Sequence, residues 1–498
     1  MSRSLIDRLY RISRALGLAA LLGALVATLG CGGAISSPHN APNGDPLGLG
    51  VEPGPLGSTD PQTIEVRVGS EPSDRIVSLS LTISSVQATN SGAQNLELLT
   101  DPITVEFTRS AIVTEPVVIR DIYQDTYSAL IFPDMTGQVV FYDSNGQLAT
   151  QSLNVTGRTV ALSPNLVLGA DPEVLSISLD LAQTFTVGTN SVTVNPIVVT
   201  AQSAVPAPAV APAVGQPETG SVNFLVGTVT NVDTTAHVIS LLPASGDAMQ
   251  VSYDNSSNGT VFVNCSPSML TGMMVETQGA TQSNGGVLAT QVALIDNSQS
   301  NSELYGLLSG YAPDGINYNL IVEGGLGVNV TTGLIGKNVT LDWLGASYSV
   351  NAARLDLTNS QDLVFDEIHV FPGQLVEVKQ DTLIVPDPDS SNAGLMSPQM
   401  IELEEQTISG QVSGYNSLTG VFTLNVAANS FFKTMNPGLI SITVRQVSQT
   451  FLRNSPTFND GDTVKVRGLL FVHPDYSNVN QPPNSPVAFI MVADRISQ

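Results

Sequence analysis

From about residue 63 onward, apolar and polar side chains alternate with a period of two, and this alternation decides most of what the chain can become. Ile64-Glu65-Val66-Arg67-Val68 and Val77-Ser78-Leu79-Ser80-Leu81-Thr82-Ile83 each place their apolar side chains on one face. A half-buried strand does this and a helix does not. Residues 139–142, then Asp143-Ser144-Asn145-Gly146, then Leu148 onward read as a hairpin, because Asn-Gly accepts the positive φ of a tight turn. The alternation continues through residues 174–181 and 192–199, and no stretch shows a capped 3.6-residue period. Only 12% of residues are charged, too few for salt-bridged helices, whereas β-branched residues abound. The expected fold is all-β and multidomain, with a β-sandwich-like domain over residues 63–201 and three small antiparallel barrel-like repeats after it. At 498 residues the chain exceeds what one core serves, so three or four domains are expected.

The first thirty residues follow different rules. Arg3, Arg8, Arg11 and Arg14 precede the apolar run ALGLAALLGALVATL, the pattern of a secretory signal peptide over residues 1–30. This run is the one place where a helix is expected, and it is shorter than the roughly 20 apolar residues of a spanning helix. Residues 31–62 are rich in Gly, Pro, Ser and Asn and bury too little apolar surface to fold, so they read as a flexible tether. The Thr28-Leu29-Gly30-Cys31 sequence resembles the lipobox of bacterial lipoproteins, with Thr28 where that family prefers Leu. The resemblance implies cleavage before Cys31, lipid on its thiol, and attachment to the cell envelope. Gly32, following the cysteine in place of Asp, implies sorting to the outer membrane.

A second boundary lies within AQSAVPAPAVAPAVGQPETG, whose alternating Pro and Ala favour an extended, semi-rigid linker over residues 202–220. Beyond it, one arrangement recurs over residues 221–300, 303–406 and 407–497. Each copy opens on a strand with a glycine near its start: Val226-Gly227-Thr228-Val229, Tyr305-Gly306-Leu307-Leu308 and Ser409-Gly410-Gln411-Val412. A turn and an apolar strand follow. Later a glycine turn leads into alternating residues, as in Gly272-Met273-Met274-Val275-Glu276-Thr277, Gly373-Gln374-Leu375-Val376-Glu377-Val378 and Gly461-Asp462-Thr463-Val464-Lys465-Val466. Each copy closes on a last apolar strand. A small closed barrel suits this order, since closure removes exposed strand edges.

These motifs carry two further resemblances. The run Ile76-Val77-Ser78-Leu79-Ser80-Leu81-Thr82-Ile83-Ser84-Ser85-Val86, with Glu106-Phe107 and Asp125-Thr126-Tyr127-Ser128, resembles an uncharacterised domain near the N-terminus of bacterial envelope lipoproteins. Asp125-Thr126-Tyr127 departs from that family's usual Gly-x-Tyr. The three later units resemble a second uncharacterised family of small β-barrel repeats. Neither family implies a catalytic residue.

Without the four Arg and one Asp of residues 1–30, the chain carries 14 basic and 42 acidic residues, a net charge of −28. That field repels phosphate backbones, so nucleic acid is not an expected partner. With Cys31 acylated, Cys265 has no disulfide partner and reads as a small buried residue. No Gly-x-Ser-x-Gly elbow occurs, and Gly333-Leu334-Ile335-Gly336-Lys337-Asn338 lacks the spacing and the hydroxyl of a phosphate loop. His39, His237, His369 and His473 stand singly, which disfavours a histidine zinc site. Two acidic loops offer oxygen ligands to calcium, through Asp387 and Asp389 and through Asp460 and Asp462. Turns favour the same residues for their own hydrogen bonds, and that is the preferred reading. Trp343 and Tyr348 suit either sugar stacking or core packing, and core packing is preferred because Trp343 shares a face with Leu341.

No enzyme and no cofactor are expected. The leading expectation is a non-catalytic, lipid-anchored envelope protein for scaffolding, assembly or surface display, whose partners are a membrane and other envelope proteins or glycan. Second stands a binding module for glycan or a small ligand, and third a hydrolase whose dispersed carboxylates meet only in the fold.

Overall fold

In the first four-stranded sheet, Pro61–Glu71 lies between Thr114–Tyr123, antiparallel, and Glu173–Asp180, parallel, with Val199–Ala204 at the edge. A second sheet joins Ile103–Glu106, Ile76–Ile83, Met135–Tyr142 and Leu148–Val155, and a third joins Arg158–Val167, Thr126–Phe132, Gln87–Asn90 and Asn95–Glu97. All three turn their apolar faces onto one core that includes Ile64, Val66, Leu79, Leu81, Leu130, Val139 and Leu175. The expected hairpin is present, with Gly146 at φ 75° between paired strands. This computed structural model describes residues 61–498 apart from 170–171, 205–219, 258, 283, 296–301, 312–316, 328–331, 353–354, 356, 358–362, 381–383, 385–391, 440, 454–456 and 475–485. The signal peptide, Cys31, His39, Asp387, Asp389 and most of the tether and linker lie outside the described residues. Residues 202–204, expected to begin the linker, instead finish a strand, because Ala201 and Ser203 extend the alternation of Val199 and pair with Ile177 and Leu175.

The three later units share one connectivity. In the first, Ser221–Asp233 pairs antiparallel with Val238–Pro243 and with Met274–Thr281, and Met249–Tyr253 follows as third strand. Val287–Ile295 runs antiparallel to the fourth strand and parallel to the third, which joins the two ends of the ladder. The last unit repeats this as a closed barrel of Glu405–Asn416, Val421–Val426, Ser441–Arg453, Thr463–Pro474 and Pro486–Ser497, again with the third and fifth strands parallel. In the middle unit, Ser302–Tyr311, Tyr318–Gly327 and Leu375–Gln380 are the first, second and fourth strands. Its third strand is broken into Asn338–Leu341 and Ser347–Val350, and parallel partners for the two halves come from Gly394–Met396 and Met400–Leu403.

The recurrent glycines have a steric cause. A Cβ on Gly227 would lie 2.6 Å from the Leu242 carbonyl oxygen, on Gly306 2.0 Å from that of Ile321, and on Gly410 2.5 Å from that of Asn425. At each, a side chain would collide with the backbone of the second strand. The turn glycines 272, 373 and 461 have φ of 83°, 94° and 96°, the left-handed region open to glycine. Each turn docks in the same way. The N–H of the turn glycine donates to the carbonyl two residues past the first-strand glycine (Val229, Leu308, Val412), and that residue's N–H donates back, to Met273, Gln374 and Asp462.

Two single-turn helices stand where no helix is expected. Leu181–Thr184 is capped by Asp180, which accepts from Gln183 N, and Phe431–Met435 by Ser430, which accepts from Lys433 N. A capping side chain suffices for one turn without any apolar period. The described residues from 61 onward belong to one compact unit, stitched by apolar contacts such as Val77 and Val140 of the sandwich against Leu307, Ile321 and Leu375 of the middle barrel.

Candidate functional site

The densest chemistry among the described residues lies where the sandwich meets the barrels, around Arg109. Its guanidinium carbon sits 3.4 Å from the ring centroid of Phe224, in the first barrel unit, and 4.2 Å from that of Tyr305, in the second. A desolvated cation between two ring faces gains on the order of 2 kcal/mol from each quadrupole. The backbone of Arg109 is held as firmly. Its N–H donates to Glu106 Oε2 at 2.6 Å, and its carbonyl accepts from Arg467 Nη1 of the third barrel at 2.9 Å. One residue of the sandwich therefore touches all three units.

Glutamates gather round this arginine because of strand register. In the middle barrel Leu304, Val376, Val378, Ile401 and Leu403 point into the core, so Glu303, Tyr305, Glu377, Lys379, Glu402 and Glu404 point outward. Pairing sets Glu303 opposite Lys379, Tyr305 opposite Glu377, and Glu377 opposite Glu402. In the first barrel Glu276 takes the position that Glu377 holds in the second. The five glutamates and Lys379 are nevertheless buried, none more than 9% exposed, while Tyr305 is half-buried.

Burial pushes the Glu276 carboxyl up to about 7, helped by repulsion from Glu377 and opposed by Arg109. For Glu303, burial and repulsion from Glu377, opposed chiefly by Lys379, give about 8. Glu404 and Glu323 are held well above the ordinary glutamate range, chiefly by burial. Arg109 and Lys379 hold their protons more tightly than usual because neighbouring glutamates outweigh the burial of each. Oε2 of Glu276 has no hydrogen-bond partner.

Glu377, Glu402 and Glu404 have carboxylate oxygens within 4.8 Å of one another, the spacing of a metal site. Lys379 Nζ already stands 3.2 Å from Glu377 Oε2, without forming a hydrogen bond, and 3.3 Å from Glu402 Oε2. The trio thus has its cation from within the chain. A hydrolase reading would want such carboxylates open to substrate, whereas Glu402 also accepts from Ser349 and Glu404 from Asn351. Beside the cluster lies a cavity of about 260 Å³ whose walls include Ile103, Arg109, Pro116, Phe224, Glu276 and Tyr305.

The other candidate residues are used locally. Asp460 accepts from Tyr415 N at 2.9 Å and Asp462 from Asn459 N at 2.7 Å, so both carboxylates brace a turn. Trp343 packs on Tyr318 with centroids 5.7 Å apart, and Tyr348 on Phe365 at 5.8 Å, which places the pair in packing rather than on a platform. Cys265 is half-buried, and burial pushes its thiol up to about 11, far from a nucleophile. Gly336 closes a turn into Asn338–Leu341 and faces Thr150 of the sandwich, with no phosphate cradle. His369 Nδ1 lies 2.6 Å from Asp366. The Arg109 cluster itself was missed in the sequence, where Glu106-Phe107 figures only in a resemblance and Glu276 and Glu377 only in the repeat. No helix among the described residues is long and apolar enough to cross a membrane. No protein-family model matches the chain and no curated protein matches it, so a functional reading rests on its own residues and geometry.

Proposed function

We propose that this chain is a non-catalytic protein of the bacterial cell envelope, anchored by lipid on Cys31, whose strand-built body serves scaffolding, assembly or surface display. The observation that carries the reading is the junction at Arg109. There one sandwich residue contacts all three barrels, through the rings of Phe224 and Tyr305 and through Arg467, which is what a single displayed body requires. The basic start, short apolar run and Gly30-Cys31 supply the anchor, and the tether after it gives the body reach from the membrane. The expected site is the outer membrane, and the expected partners are other envelope proteins. The large negative charge argues against nucleic acid.

A second reading, glycan or small-ligand binding, is favoured by two observations. One is the barrel connectivity, since five-stranded Greek-key barrels hold oligosaccharides in other proteins. The other is the cavity beside Arg109.

Cell fractionation tests the leading reading. The chain should sediment with membranes, and Cys31→Ser should move it to the soluble fraction. Retention of the variant in the membrane would refute the lipid anchor. Titration of the purified protein with cell-wall glycan fragments separates the readings, because saturable binding would favour the second.

A further inference from the structure

The junction holds many more acids than bases. From the sandwich come Glu106 and Arg109. The first barrel contributes Glu276, with Gln278 beside it, from its fourth strand. In the middle barrel the first strand contributes Glu303 and Tyr305, the second Glu323, the fourth Glu377 and Lys379, and the last Glu402 followed by Glu404. Seven carboxyls thus face two cations, while Arg467, which donates to the Arg109 carbonyl, is paired with Glu405 of its own barrel. Full ionisation would leave a large uncompensated negative charge away from water, which neither Coulomb attraction to Arg109 nor to Lys379 offsets. The resting cluster must therefore keep several of its protons.

We propose that this cluster is a proton-operated latch, in which retained protons keep the sandwich clamped to the first two barrels and their loss in alkaline medium loosens the clamp around Arg109. The interface moves rather than the barrels because the charges sit on outer strand faces. The inner faces carry separate apolar cores, one around Leu79 and Val139, one around Val229 and Val275, one around Leu304 and Val376. The third barrel holds the sandwich through Arg467, which donates to the Arg109 carbonyl, and through Arg453 and Lys465, which both reach Glu71 at 2.7 and 2.8 Å in a partly exposed cluster with more bases than acids. Its second strand, residues 421–426, contributes no residue to the junction and supplies an internal reference. The direction follows from the acids being raised. Their contribution is complete below 4.5, the usual glutamate value, and is lost as the medium passes through about 7 for Glu276 and about 8 for Glu303.

Amide hydrogen exchange on the full chain, corrected for the intrinsic pH dependence of exchange, reads the latch directly. Between about pH 6 and pH 9, protection at residues 107–111, 274–281 and 302–308 should fall by about tenfold or more, while residues 421–426 stay within about twofold. In the double variant Glu276→Gln, Glu303→Gln the fall should shrink to under about twofold. If that variant does not fold, infrared spectra of the unmodified chain decide the matter, because the carbonyl band of protonated carboxyls should be present at about pH 6 and weaker by about pH 9 as Glu276 and Glu303 ionise. Protection that does not change with pH, a double variant that keeps the whole fall, or no protonated-carboxyl band at about pH 6 would each overturn the proposal.

Discussion

Gly306 and Gly461 are both glycines for steric reasons, yet the reasons differ and so should the cost of replacing them. A methyl at Gly306 would meet the Ile321 carbonyl at 2.0 Å, with backbone on both sides and nothing flexible to give way. At Gly461 a methyl has open space, and only the φ of 96° resists it. Gly306→Ala should therefore destabilise by about 3 kcal/mol or more, and Gly461→Ala by about 1–2 kcal/mol. Denaturant unfolding checks this, and equal costs would contradict the close-approach account. Both glycines were legible in the sequence through their recurrence at matched places. Glu276, Glu303 and Glu377 were legible only as the outward member of an alternating strand. An outward carboxylate under water and one beneath a neighbouring sheet leave the same pattern, so nothing local announced that these three meet Arg109.

At the scale of elements, the alternation specified strands well and breaks poorly. The middle unit has the same five-strand plan as its neighbours, but its third strand stops after Leu341 and resumes at Ser347. Between them Trp343 turns back onto Tyr318, and a lone aromatic in an apolar run gives no sign of such an interruption. The helix Phe431–Met435 escaped for the opposite reason, since five residues are too few to show a period. Its cap is nevertheless plain in the structure, where Ser430 accepts from Lys433 N at 3.2 Å and the next residue's N–H donates to Asp74 of the sandwich at 2.7 Å. Ser430→Ala should cost about 1 kcal/mol. Because that turn also contacts the sandwich, exchange should quicken at residues 431–435 and near Asp74 together. Quickening at the helix alone would show that the cap does not bear on the contact.

On the scale of the whole molecule, the sandwich and the three barrel units lie within one compact unit among the described residues. Sequence patterning separates units wherever a linker or a repeat begins, but it does not say which outer faces they press together. That information lies in complementary shapes and charges far apart in the chain, such as Arg109 with Phe224, Tyr305 and Arg467. Units packed against one another in this way should unfold together, unlike beads on a string, which melt one after another. Differential scanning calorimetry of the full chain at about pH 6, set beside Arg109→Ala, tests this most directly. The unmodified chain is expected to show one transition whose calorimetric and van't Hoff enthalpies agree, and the variant, with its glutamates left facing no arginine, to show two or more. Several independent transitions in the unmodified chain, or a variant that melts as it does, would contradict a body locked together at Arg109.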